Sequence, residues 1–190
     1  MINKPIATVE KWNKKYEGLK IGTTAPTDFL QQHSYLLNSL SYQKACDFAC
    51  GAGANSIFLA KMGFAVDSFD ISDIAINKLD KYSKKNKLSI RAKVADLSQM
   101  NFVRNKYNVM NITFFMQRDL MPKIKDSLKK DGLIFYKTVV RNQWTPPRFD
   151  KHPDFVLQPN ELLSMFADWH IINYNENETN SNASLIARKK

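Results

Sequence analysis

Apolar positions along the chain come in short blocks, and their period switches repeatedly between strand-like and helix-like. ACDFA (45–49) is a short apolar run of strand type. SIFLAKM (56–62) carries a brief helical pattern that Gly63 can terminate. FAVDSFD (64–70) reads as a second strand, after which Ser72 opens a helix. In that helix Ala75, Leu79 and Tyr82 form one stripe, with lysines on the other face. LSIRAKVA (88–95) and YNVMNITFF (107–115) are a third and a fourth strand. Asp119 and Pro122 suit a helix's first turn. Leu120, Ile124 and Leu128 form its stripe, and Lys129 and Lys130 favour its C-terminal end. GLIFYKTVV (132–140) is a fifth strand.

This alternation predicts a parallel sheet with helices on both faces. The pattern changes past residue 140. NQWTPPRFDKHPDF (142–155), with Pro146, Pro147 and Pro153, is a loop, and ELLSMFADW (161–169) a short helix. HIINYNE (170–176) and ASLIARK (183–189), separated by a polar turn, predict an antiparallel hairpin on the sheet's edge. The first forty residues hold two helical patterns around the loop IGTTAPT (21–27).

Composition narrows the class. With 190 residues, 44% hydrophobic and 24% charged, the chain fits one soluble globular domain. No apolar run is long enough to span a bilayer, and MINKPIATVEKW has no secretory h-region. Cys46 and Cys50 have neither zinc nor redox spacing, which favours a reduced, cytoplasmic setting and no metal. The net charge of +10 admits nucleic acid as a partner. However, the lysines are scattered over predicted helix surfaces, with no aromatic residues interleaved to stack bases. Nucleic acid therefore ranks second to a small-molecule substrate.

FACGAGAN (48–55) leaves the first strand at its carboxyl end, where open α/β sheets bind ligands. Gly51 and Gly53 permit close backbone approach, and Asn55 is placed to cap the next helix. No Gly-Lys-Ser/Thr follows, which excludes a P-loop. A dinucleotide fingerprint would need a third glycine where Ser56 stands. Asp70 is at the distance expected of a ribose-binding carboxylate. Asp47, Asp70 and Asp96 ring one end of the sheet, a poor setting for two phosphates and a good one for a cationic nucleoside. S-adenosylmethionine has that character.

At these residues the sequence resembles class I S-adenosylmethionine-dependent methyltransferases, in particular the tellurite-resistance type and similar small bacterial enzymes. The likeness runs from ACDFACGAGANSIFLAKMGFAVDSFDISDIAINKL through VADL (94–97) to PNELLSMFADW (159–169). KWNKKY (11–16) and APTDFL (25–30) resemble the family's N-terminal motifs. The resemblance implies a single-domain Rossmann-like α/β methyltransferase fold over 1–190, with a mostly parallel seven-stranded sheet. Within it, 1–40 would be a helical lid, 41–140 the cofactor-binding core, and 141–190 the substrate loop and C-terminal hairpin.

The resemblance also implies residue roles. Asp47 and the backbone of Ala49, Cys50, Gly51 and Gly53 would hold the methionine moiety. Asp70 would take the ribose hydroxyls, Ile71 would lie against the adenine, and Asp96 and Leu97 would meet its amine and ring. Thr113 and Phe114 would border the transferred methyl, and Trp12 and Tyr16 would belong to the lid. Ala54, Asn108, Lys137 and Lys15 depart from the family pattern. The implied acceptor is a soft or anionic small molecule, such as a chalcogen oxyanion or a thiol. A nucleic-acid methyltransferase or a non-catalytic cofactor-binding module is the alternative, as a monomer or homodimer.

For the acceptor, Arg118, Arg141 and Arg148 lie after strands four and five and could hold an anion. His152 is the candidate base in the proline-rich loop.

Overall fold

The computed structural model describes residues 6–40, 43–150, 152–177 and 179–190. Among these, the apolar blocks become seven strands: β1 (Lys44–Phe48), β2 (Ala65–Asp70), β3 (Ile90–Val94), β4 (Tyr107–Thr113), β5 (Leu128–Val139), β6 (His170–Asn177) and β7 (Asn182–Arg188). They form one sheet in the order β3-β2-β1-β4-β5-β7-β6. The β1–β2, β2–β3 and β4–β5 pairs are parallel, whereas β7 runs antiparallel to both β5 and β6. The α-helices are α1 (Ile6–Glu17), α2 (Asp28–Gln32), α3 (Ala54–Lys61), α4 (Asp73–Lys85), α5 (Met121–Ser127) and α6 (Glu161–Met165). Mostly parallel strands with an antiparallel C-terminal pair are the Rossmann-like arrangement that the sequence predicts.

Contacts gather the chain into two compact units that divide between Asn101 and Phe102. In the first, β1 is buried at four of five positions, as a central parallel strand must be. β3, at the sheet's edge, is largely exposed and carries Arg91 and Lys93, charges that discourage pairing with a foreign strand. Ser72 caps α4 by accepting from the Ala75 amide at 3.1 Å. Ala75, Ile76 and Leu79 form the buried stripe of α4, and Tyr82 is half-buried with its ring over Gly22.

In the second unit β5 is the organising strand. Tyr136 and Phe135 are fully buried on it, and the Tyr136 ring meets Phe166 edge-on at 6.4 Å. The helix after β4 ends at Ser127, three residues short of the end at Lys130 that the sequence predicts. Leu128 is extended, with ψ 144°, and pairs with Tyr107, so it opens β5 instead of closing α5. It keeps its burial, because the apolar stripe of a helix and the start of a strand can bury the same residue. Lys129 and Lys130 thus lie on the strand, and Lys189 Nζ caps the end of α5 by donating to the carbonyls of Lys125 and Leu128.

Candidate functional site

The first unit builds a cradle at the carboxyl ends of β1, β2 and β3. Pairing sets Asp47 beside Ser68 and Asp70 beside Val94, so Asp47, Asp70 and Asp96 stand on three adjacent strand ends. Each carboxylate is held differently. Asp47 is buried and accepts from Ser56 Oγ at 2.6 Å; Ser56 in turn accepts from Ser68 Oγ at 2.9 Å. Asp70 is buried and accepts from the Gly51 amide at 2.7 Å and the Ser72 amide at 2.9 Å. Asp96 is half-buried and accepts from the amide and hydroxyl of Ser98 at 2.9 and 2.7 Å. Burial raises the Asp70 pKa above its usual value, against the pull of the amides of Ser72, Gly51 and Ile71 and of the Lys15 ammonium.

The turn between β1 and α3 needs its small residues for steric reasons. Ala49, Gly51 and Gly53 all have positive φ, at 52°, 54° and 76°. A Cβ on Gly51 would lie 2.5 Å from the Tyr16 hydroxyl. A Cβ on Gly53 would lie 2.5 Å from a methyl of Leu79 on α4. So Gly51 opens the cradle to the α1 side chain, while Gly53 serves helix packing. Gly53 is also the N-cap of α3, which puts Asn55 inside the helix. Asn55 does not cap; its Oδ1 accepts from the Thr27 amide at 2.9 Å and fixes the IGTTAPT loop. Cys50 is half-buried, and burial, then Asp47 and Asp70, push its thiol pKa well up. That suits a backbone role and opposes a nucleophilic one. Ile71 is half-buried next to Asp70, and Leu97 is buried next to Asp96.

Helix α1 covers this cradle. Trp12 and Tyr16 stack at 6.1 Å, and the Lys15 ammonium lies 4.6 Å from the Trp12 ring centroid. Desolvation lowers the Lys15 pKa, opposed by Asp70. Burial, with Asp70 and Cys50, raises that of Tyr16. The C-terminal half of the helix is latched to α4 at two places. Ser72 Oγ donates to Asn13 Oδ1 at 2.6 Å, and Asn13 Nδ2 donates to Asp73 at 2.7 Å. Lys78 Nζ donates to the Tyr16, Glu17 and Leu19 carbonyls, neutralising the negative end of α1. Asn13, Ser56, Lys78 and Leu79 are absent from the sequence-derived site. Their only signal is spacing, which does not say what a side chain meets across the fold.

In the second unit, the sequence-predicted residues lie at and beyond the carboxyl ends of β4 and β5. Thr113 ends β4 half-buried, and its Oγ1 accepts from Asn111 Nδ2 at 3.3 Å. Phe114 follows with φ 53° and is 55% exposed, its amide tied to the Lys137 carbonyl at 2.8 Å. Arg118 does not present a free guanidinium to a substrate. It makes a two-pronged pair with Glu161, at 2.5 and 2.9 Å, and donates to the carbonyls of Asp154 and Val156 at 2.8 and 2.9 Å. Glu161 holds the guanidinium charged, and Arg118 holds the Glu161 pKa below its usual value. Arg141 pairs with Asp150 at 2.7 Å. Arg148 makes no ion pair among the described residues and lies 5.0 Å over the Phe149 ring. His152 is exposed, with its ring edge-on to Phe155 at 6.1 Å.

Comparison with known proteins adds the lineage. A family model described as tellurite resistance protein TehB matches residues 12–183. A curated Haemophilus influenzae protein (strain ATCC 51907 / DSM 11121 / KW20 / Rd), named "Probable S-adenosyl-L-methionine-dependent methyltransferase TehB", is 29% identical over 164 residues. The match takes in 77% of this chain and 57% of that protein, so the chain spans little more than half the length of this relative. The crystal structure of TehB from Haemophilus influenzae superposes with a TM-score of 0.73 at 25% identity, covering 96% of this chain and 67% of that one. A structure titled for conversion of a disulfide bond into a thioacetal group during echinomycin biosynthesis shares the fold. Its TM-score is 0.72 at 16% identity, covering 96% of this chain and 92% of that one. No helix among the described residues is long and apolar enough to cross a membrane. With 172 consecutive positions under the family model, the chain belongs to the tellurite-resistance TehB family.

Proposed function

We propose that this chain is an S-adenosyl-L-methionine-dependent methyltransferase acting on a soft or anionic small-molecule acceptor. The observation that carries the assignment is the acidic cradle of the first unit. Three carboxylates line adjacent strand ends, beside a turn whose backbone turns back through two glycines of positive φ. A phosphate-bearing ligand is repelled there, whereas a sulfonium and an ammonium are attracted. The name given to the Haemophilus influenzae relative agrees with this chemistry.

The residues present fit the cofactor. Asp70, fixed by two backbone amides, has the carboxylate geometry to accept from paired hydroxyls. Asp96 and Leu97 supply an acceptor next to an apolar surface, as an adenine edge and face require. Asp47 places buried negative charge beside the Cys50–Gly53 turn, which would stabilise a cationic amino-acid end. When bound, the cofactor supplies an electrophilic methyl, so the protein's task is to orient groups and exclude water. Tyr16 and Trp12 on α1 do the excluding, held down by the Lys78 and Asn13 latches.

Calorimetry tests the assignment. S-adenosylmethionine binds the unaltered chain, and D70A lowers affinity at least tenfold. Because the Asp70 pKa is raised, affinity falls with decreasing pH from above 3.8, its ordinary value. Binding that survives D70A undiminished sinks the site.

A further inference from the structure

We infer that Ser56 and Ser68 are positioning residues for the cofactor, a buried pair of hydroxyls that fixes Asp47 toward the ammonium of its amino-acid end. The inference rests on the cofactor assignment proposed above and adds to it two residues that act through Asp47.

The geometry follows from strand register. Asp47 on β1 and Ser68 on β2 are paired in parallel, so their side chains project from the same face of the sheet. Helix α3 packs on these two strands, and Ser56 lies in its first turn. Ser56 Oγ is 2.6 Å from Asp47 Oδ2 and 2.9 Å from Ser68 Oγ. None of the three residues is more than 1% exposed. The direction of both bonds follows from what each group can donate. An ionised carboxylate only accepts, so Ser56 gives its single hydroxyl hydrogen to Asp47 and accepts from Ser68.

The hydroxyls orient a charge without adding one. Asp67, the residue before Ser68 on β2, shows the other solution. The Arg91 guanidinium grips both of its oxygens, at 2.8 and 2.7 Å, and neutralises it. Strand alternation turns Asp67 to the opposite face from Asp47. A guanidinium bound to Asp47 would cancel the field that attracts a cationic ligand. A serine hydroxyl lowers the cost of burying the carboxylate and leaves its negative charge in place. Ser56 also stands where a dinucleotide fingerprint has its third glycine. A glycine there would remove this donor from Asp47. The residue that departs from the dinucleotide pattern is thus the one that serves a cationic ligand.

A packing role for the serines predicts that their loss weakens every nucleoside ligand alike. A positioning role predicts a loss confined to ligands that carry the ammonium. The test uses S-adenosylhomocysteine and its deaminated analogue, which keeps the nucleoside, the sulfur and the carboxylate. Calorimetry gives Kd for both with the unaltered chain, S56A, S68A, D47N and S56A/D47N, and urea denaturation reports the folding of each. S56A is expected to raise the Kd of S-adenosylhomocysteine about tenfold, and S68A about threefold. Both leave the Kd of the deaminated analogue within about twofold. In the D47N background S56A adds less than about twofold, because the group it positions has lost its charge. Should S56A fail to fold, S68A, one bond further from the carboxylate, carries the same comparison. Equal weakening of the two ligands, weakening of neither, or a full S56A effect on D47N overturns the inference and leaves the cofactor assignment standing. If the unaltered chain binds neither ligand, the cofactor assignment falls and the inference with it.

Discussion

Replacing Gly53 with alanine separates a packing role from a ligand-approach role for the turn after β1. The new Cβ meets two independent obstacles. At φ 76° an alanine sits in the left-handed region, at about 1–2 kcal/mol. Its Cβ also lies 2.5 Å from Leu79 Cδ1 and 2.6 Å from Cδ2. Leu79 is fully buried, so its methyls cannot swing into solvent, and overpacking of this kind costs about 1–3 kcal/mol. The smaller unfolded-state entropy of alanine returns about 0.4–1 kcal/mol. The net loss is about 2–4 kcal/mol, which for a chain of this size lowers Tm by roughly 5–15 °C. Urea denaturation of G53A without any ligand measures it directly. L79A, which alone removes about 2–5 kcal/mol of core packing, makes room for the new methyl. In that background G53A should cost only the backbone part, about 1 kcal/mol, giving a coupling of about 1–3 kcal/mol. A loss below 0.5 kcal/mol, or the same loss in both backgrounds, refutes the packing account. Unchanged stability with weakened cofactor binding would instead assign Gly53 to the ligand.

Two further outcomes follow from the geometry. R118M loses the Glu161 pair and two carbonyl bonds, and since Arg118 is 39% exposed the loss is discounted for screening to about 1–2 kcal/mol at pH 7. The folded pKa of Glu161 is depressed, so its share is present above 4.5 and disappears as pH falls through the lower folded value. The stability gap between parent and R118M should therefore narrow below about pH 4.5, and a flat gap in denaturant titrations from pH 7 to 3 contradicts it. Cys46 is buried and the Cys50 thiol is pushed up by burial and two aspartates. Both should react with a disulfide reagent at least tenfold more slowly in the folded protein than in urea, and a rapidly labelled native thiol counts against the backbone role of Cys50.

The sequence by itself determined the order of elements, the parallel core and the antiparallel end. Those follow from apolar period and turn residues, which act within a few positions along the chain. It also located Asp47, Asp70 and Asp96 on strand ends, because a carboxylate just past an apolar run must lie at the sheet's edge. Tertiary structure decided what each group faces. Arg118 looks like a free cation until Glu161, 43 residues away, takes its fork. Gly53 shows only a turn in the sequence, and its packing demand appears when Leu79 fills the space a Cβ would need. Asn55 looks like a cap until Gly53 takes that position and Thr27 takes its side chain. In each case the partner is distant in sequence, and local periodicity carries no information about a partner that only folding brings near.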